Sequence, residues 1–252
     1  FAERVGETGK GFGELSAVRR GELIEAAVSE ACREFEADDR PPLPVPWKIL
    51  KRSVGNDLNE FFERNYSGSP EWAPVETEGR IGGEKSPRFA LADGGGKVHL
   101  IGRFDLVERS GDRRRFIDYK TGRTSLPKRD APSLAGGARL QPDLYAHCAG
   151  ERFGADTRVS AAYAFPTERG EYRLAEIPAE VIEERRGEVS ALLGFYVRAM
   201  ERGIFFPTPF QSYPGGTCGY CEFTAVCGPD RAVRAARKSG SDPRAELDAL
   251  RE

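Results

Sequence analysis

The chain lacks several things, and each shortage removes a class of function. No stretch approaches the ~20 consecutive apolar residues that a membrane-spanning helix needs, and a secretory signal is not expected. Histidine is scarce, with two in 252 residues. His99 stands six residues before Asp105, roughly 20 Å along a strand, and His147 is expected on the solvent side of its helix, so neither is expected to be catalytic. An excess of charge is missing too: 38 Lys and Arg against 40 Asp and Glu give a net charge of −2, which argues neither for nor against nucleic acid. Five cysteines, three of them bunched, do not make a secreted disulfide framework, and the cytoplasm is the expected compartment. Repeats and low-complexity runs are absent. The string Gly6-Glu7-Thr8-Gly9-Lys10-Gly11 is no phosphate loop: its spacing is short, no Ser or Thr follows the lysine, and no strand precedes it. Residues 1–13 are therefore expected to be loop, with no ATPase motor. Phe1-Ala2-Glu3-Arg4 begins in mid-pattern without a methionine, so a piece of a longer protein is expected.

What is present reads as globular: 39% hydrophobic, 31% charged, and long enough to bury a full core. Residues 14–37 are expected to form a helix with Ile24, Val28, Ala31, Cys32 and Phe35 on a core-facing stripe. A stiff extended linker at 41–46 leads to a second helix over 47–65, whose stripe is Trp47, Leu50, Val54, Leu58, Phe61 and Phe62. Strands follow at 74–78 and 88–92, then a glycine turn at 94–96. Further on come a helix over 138–153, a hairpin from 158–165 and 172–177, and a long helix over 179–202.

The centre of the pattern is GRFDLVERSGDRRRFIDYK, residues 102–120. An apolar run through Val98, Leu100, Ile101, Phe104 and Val107, a Ser110-Gly111-Asp112 turn and the return Phe116–Lys120 predict a β-hairpin. Alternation sends Asp118 and Lys120 to one face and Ile117 and Tyr119 to the other, and Asp105 on the partner strand can stand beside Asp118. Two carboxylates with an open position suit Mg²⁺ or Mn²⁺. A lysine there can orient an attacking water or stabilise charge building on a phosphate. The cations Arg113, Arg114, Arg115, Lys120, Arg123, Lys128 and Arg129 are expected around this site, where phosphates need screening. Gln141 and Tyr145, placed about two turns into the next helix, share a face. Gln141 is expected to reach the metal site, with Tyr145 stacked below it.

Together, GRFD, DYKTG and QPDLY resemble motifs II, III and IV of the RecB/AddB-type branch of the PD-(D/E)XK nucleases. That resemblance spans roughly residue 74 to the chain end. It implies a restriction-endonuclease-like core of mixed α/β (α+β) class, with a central mixed sheet flanked by helices and a cysteine-rich loop after it. The implied organisation is a helical part at 1–71, the nuclease core at 72–206, and a cysteine loop with a basic tail at 207–252. The implied activity is Mg²⁺- or Mn²⁺-dependent, exonuclease-like hydrolysis of DNA, at ends or single strands, by the terminal nuclease of a helicase–nuclease. Asp105, Asp118 and the Tyr119 carbonyl would hold the metal, Lys120 would position the water, and Gln141 and Glu78 would assist. Arg123, Lys128, Arg129 and Tyr145 would contact DNA. The family's upstream metal-binding histidine has no counterpart here.

Cys218, Cys221 and Cys227 form a Cys-x₂-Cys-x₅-Cys pattern in a Gly/Pro-rich loop, and soft thiolates at such spacing bind zinc or an iron–sulfur cluster. The pattern resembles the last three cysteines of AddB-type nucleases, which implies a [4Fe–4S] cluster whose fourth cysteine lies upstream of residue 1. Cys32 and Cys148 are expected to be small buried hydrophobes. After the loop, Arg231, Arg234, Arg237 and Lys238 are expected on a basic, frayed helix that either contacts DNA or is a solvated tail. A rival reading is a nuclease-like module without catalysis that binds DNA or a partner subunit. The intact Asp, Asp, Lys and Gln set argues against it. A redox iron–sulfur sensor would leave the acidic site unexplained.

Overall fold

The computed structural model describes residues 1–38, 43–68, 71–82, 88–91, 96–123, 126, 134, 137, 139–154, 157–205, 221–237 and 240–249. The chain divides into two compact units. The first comprises residues 1–89, 99–133 and 140–186. Its centre is a five-stranded mixed sheet in the order β1-β4-β5-β6-β7: β1 (Ala73–Ile81), β4 (Gly102–Ser110), β5 (Arg113–Tyr119), β6 (Arg158–Phe165) and β7 (Arg173–Ile177). The pairs are antiparallel except β5 with β6. That parallel step needs a crossover, supplied by helix α4 (Gln141–Phe153). Two short strands, β2 (Arg88–Ala90) and β3 (Lys97–His99), pair separately.

The expected mixed sheet flanked by helices is what forms. Alternation along β5 and β6 divides the core in two. Phe116, Ala161, Tyr163 and Phe165 pack with Tyr145, Ala146, Cys148 and Ala149 of α4. Ile117, Ala162 and Ala164 pack with Val5, Phe12, Leu23, Phe61, Phe62 and Tyr66. Those last residues come from α1 (Ala2–Glu7), the short turn after it, α2 (Ala17–Asp38) and α3 (Pro44–Tyr66).

Several expectations are corrected by packing. Residues 2–7 are helical, not loop, because Val5 and Phe12 are buried in the second cluster. Pro44 and Pro46 do not continue an extended linker; they open α3, where a missing N–H and a fixed φ cost nothing. Residues 41 and 42 lie outside the described residues. The stripes of α2 and α3 are covered only at one end: Leu23, Ile24, Phe61 and Phe62 are buried, whereas Phe35, Leu50 and Val54 are exposed. Cys32 is accordingly half-buried instead of being in the core. A 22-residue helix is about 33 Å long, and its period reports an apolar face without saying what covers it. The far ends meet each other through Phe35 on Trp47, 5.2 Å between ring centres, and Lys51 with Glu36 at 2.5 Å. Finally, the expected long helix over 179–202 breaks into α5 (Ala179–Glu184) and α6 (Arg186–Glu201). The break falls at Arg185, whose guanidinium makes a two-pronged bond to the buried Asp143 of α4, Nε to Oδ1 at 2.6 Å and Nη2 to Oδ2 at 2.8 Å.

The second unit comprises residues 90–98, 134–139 and 187–252. Its helices α7 (Thr224–Cys227), α8 (Arg231–Arg237) and α9 (Asp242–Ala249) follow α6, and Arg198 pairs with Glu246 at 2.6 Å. No helix among the described residues is long and apolar enough to cross a membrane.

Candidate active site

The site is built where β4 and β5 part. Their ladder is regular from Ser110↔Arg113 to Leu106↔Ile117 and stops there. Gly111, at φ +61, supplies the tight turn at the other end. Beyond Leu106 the alternation of β4 slips: Phe104 and Val107 lie in one core cluster and Leu106 in the other. The opposite strand distorts with it. Glu78 has a left-handed backbone at φ +51, costing about 1–2 kcal/mol for a residue with a Cβ, and the Glu78–Asp105 pair is missing from the β1–β4 register. Released from the ladder, Asp105 turns its Oδ2 to the Tyr119 amide, which donates to it at 2.7 Å. Asp105 thereby stands in the gap between the strands, with its carboxylate on the residue next to Asp118.

Asp118 and Lys120 keep their expected common face. Lys120 Nζ lies 2.5 Å from Asp118 Oδ2, but the contact is an ion pair outside hydrogen-bonding alignment, and that buried oxygen has no hydrogen-bond partner. Burial raises the Asp118 carboxyl, Lys120 pulls it down, and the negative Asp105 adds a smaller upward push. The Lys120 amide is fixed by donating to the Ala164 carbonyl at 2.8 Å, so the lysine follows β5 without a break.

Gln141 is the first residue of α4 and not two turns into it. Its Oε1 accepts from Lys120 Nζ at 3.5 Å, and its Nε2 donates to the Tyr145 hydroxyl at 3.4 Å. The Tyr145 hydroxyl donates to the Arg103 carbonyl at 2.6 Å. Tyr145 is buried, its ring against Phe104 and Phe116, so it ties α4 to β4 beneath the site. Gly102 eases that contact: a Cβ there would come to 3.1 Å from the Tyr145 ring, so the ring would have to shift by a few tenths of an ångström.

Glu78 is exposed and pairs with Arg103, Oε2 to Nε at 2.8 Å. With Asp105, Leu106, Tyr119 and Phe1 it lines a cavity of about 370 Å³. Arg123 is exposed; Lys128, Arg129, Cys218 and Lys238 lie outside the described residues. Arg113, Arg114 and Arg115 do not surround the site. They occupy the opposite end of β5, roughly 10–17 Å from Asp118 at strand rise. Arg115 is buried against Glu108 (Nε and Nη2 to Oε2, 2.9 and 2.7 Å) and Glu176, and Arg113 pairs with Glu71. His147 also departs from expectation. It is half-buried against Phe89, with Nδ1 3.3 Å from Arg186. Burial, then Arg186 and Arg185, push its imidazole down to about 4. His99 is exposed on β3.

Sequence reading missed the Asp143–Arg185 clamp, although Asp143 sits inside QPDLY; no spacing within one helix signals a partner 42 residues away. It also missed Arg103, two residues before Asp105.

The residues at the gap fit a hard divalent cation. A buried carboxylate oxygen without a hydrogen bond, a second carboxylate beside it and the Tyr119 carbonyl are the few oxygen ligands Mg²⁺ takes from protein while keeping waters. Among the described residues no group of three His, Cys, Asp or Glu side chains is gathered closely enough to hold a metal by itself. Cys221 is exposed and Cys227 half-buried.

The mixed five-stranded sheet flanked by helices is of the restriction-endonuclease-like class. The chain belongs to the PD-(D/E)XK nuclease superfamily, whose family model matches residues 2–228. Among curated proteins no match is found. Membership implies hydrolysis of nucleic-acid phosphodiesters and binding of DNA, in a superfamily that commonly uses divalent metals.

Proposed function

We propose that this chain is the divalent-metal-dependent DNA nuclease of a RecB/AddB-like helicase–nuclease, acting exonuclease-like on double-strand ends or single strands. The observation that carries the reading is the Asp118–Lys120 pair at 2.5 Å, with Asp105 fixed at 2.7 Å to the intervening residue's amide. Asp105, Asp118 and the Tyr119 carbonyl would hold Mg²⁺ or Mn²⁺, which supplies positive charge to the phosphate and makes water a better nucleophile. Lys120 orients the attacking water and stabilises charge on the phosphate oxygens. Gln141 keeps Lys120 in place, Tyr145 keeps Gln141 in place, and Glu78 assists from the cavity wall. Arg123, Lys128 and Arg129 contact the strand. Residues 72–206 carry the nuclease core, between a helical part at 1–71 and the cysteine loop and basic tail at 207–252.

The finer family placement rests on GRFD, DYKTG and QPDLY, and on Cys218, Cys221 and Cys227. Those thiolates, with a fourth cysteine, would hold a [4Fe–4S] cluster. In the test, Asp118→Ala and Lys120→Ala each lose about 10²–10³ in cleavage of linear DNA with Mg²⁺, while folding is retained. Undiminished cleavage by purified Asp118→Ala refutes the assignment. Iron analysis of the full-length protein tests the cluster separately; a colourless protein with stoichiometric zinc refutes it.

A further inference from the structure

Arg80 and Arg103 are directly opposite each other in the β1–β4 register, and both are exposed. Residues so placed share a face, and like charges there oppose sheet formation. Nothing in the fold requires two guanidiniums side by side. Arg103 is engaged by Glu78 at 2.8 Å, in a pair whose two side chains are each 59% exposed. Arg80 has no acidic partner among the described residues. An ion pair so open to water gains little and exchanges readily. A phosphate diester offers a guanidinium two acceptor oxygens in matching geometry.

The two ends of this arrangement are held differently. The Arg103 backbone is anchored to α4, since its carbonyl accepts the Tyr145 hydroxyl at 2.6 Å, in the chain of contacts that runs through Gln141 to Lys120. The partner, Glu78, sits on a left-handed backbone at φ +51 and lines the cavity that Asp105 and Tyr119 also line. Arg103 is thus two residues from a candidate metal ligand, while the carboxylate on it borders the same cavity.

We propose that Arg103 and Arg80 grip a backbone phosphate of the bound nucleic acid, and that Glu78 occupies Arg103 until that phosphate displaces it. The proposal rests on the nuclease reading above. Arrival of a strand then frees Glu78 beside Asp105, so that substrate binding and completion of the acidic set are coupled.

The test is binding without chemistry: fluorescence anisotropy of a short labelled single-stranded DNA in EDTA, from about 50 to 200 mM NaCl. Arg103→Gln should weaken binding roughly ten-fold at low salt and flatten the salt slope by about 0.7. Arg103→Lys, which keeps the charge without the fork, should retain the wild-type slope. Glu78→Gln should tighten binding several-fold in the wild-type background and distinctly less with Arg103→Gln, because the competitor matters only where Arg103 is present. If wild type binds DNA and Arg103→Gln matches it in affinity and slope, this proposal alone falls. Equal tightening by Glu78→Gln in both backgrounds also overturns it, leaving only general repulsion. If the folded wild type binds no DNA under these conditions, this proposal falls, since a grip by two guanidiniums needs no metal; the nuclease reading is judged separately, by cleavage with Mg²⁺ and its loss in Asp118→Ala.

Discussion

At one end of the β4–β5 pair, Glu108 and Arg115 are buried together; at the other, Asp118 and Lys120 meet at the end of the central strand. The chemistry of the two pairs is alike, an acid and a base brought together by the same hairpin. Their surroundings are opposite. Glu108 accepts twice from Arg115 and once from the Tyr66 hydroxyl, and Arg115 also reaches Glu176 and stacks over Trp72. Burial pushes the Glu108 carboxyl up, Arg115 and Tyr66 pull it back, and every prong is used. Asp118 is nearly as buried, but its Oδ2 lacks a hydrogen bond and its lysine is 41% exposed. A saturated ionic cluster serves the fold. An unsaturated one at an accessible strand end is what the proposed binding of a cation and a phosphate would use.

The strongest way to break the comparison is at the saturated end. Glu108→Ala leaves Arg115 buried with only the half-exposed Glu176, and should cost roughly 3–5 kcal/mol of stability; urea unfolding reads it, and a loss below 1 kcal/mol would remove the distinction. At the unsaturated end the effects should trade places. Asp118→Asn should lower cleavage by about 10²–10³ with unfolding midpoint unchanged or higher, because a buried carboxylate that folding penalises is gone.

The third prediction concerns His147, on α4 beside Phe89 and Arg186. Its imidazole is held near 4 in the folded chain against an ordinary 6.5. Between those values the unfolded chain binds more protons, so stability should be full above about pH 6.5 and fall as pH drops towards 4. His147→Gln should remove that part of the slope in urea midpoints measured across pH; an unchanged slope would mean the ring titrates normally. The smallest effect is expected from Arg113, paired with Glu71 at 45% exposure. Arg113→Gln should change stability by less than about 1 kcal/mol and leave the salt dependence of DNA binding as it was, since it stands at the saturated end. A flatter slope would extend the DNA surface along the whole of β5.

Local chemistry was legible where it depends on spacing within one element. The Asp118–Lys120 common face follows from a period of two, and the Gln141–Tyr145 contact from one helical turn; both are present. The hairpin followed from Ser110-Gly111-Asp112 between apolar runs. Legibility ended where a residue's place depends on another element. Arg113, Arg114 and Arg115 looked like phosphate cations because sequence gives their charge but not Glu108, Glu71 and Glu176 waiting across the sheet.

By itself, then, the sequence determined the faces of β5 and α4, because strand and helix periods are short-range and repeat identically wherever an element forms; the mixed sheet followed only from the resemblance of its motifs to those of a known family. Tertiary structure alone decided that Asp105 leaves the ladder to take the Tyr119 amide, that Arg185, between α5 and α6, clamps Asp143, and that Glu78 holds Arg103. Each of those joins groups 14 to 42 residues apart, and burial and pairing at that distance are set only when the strands and helices have packed.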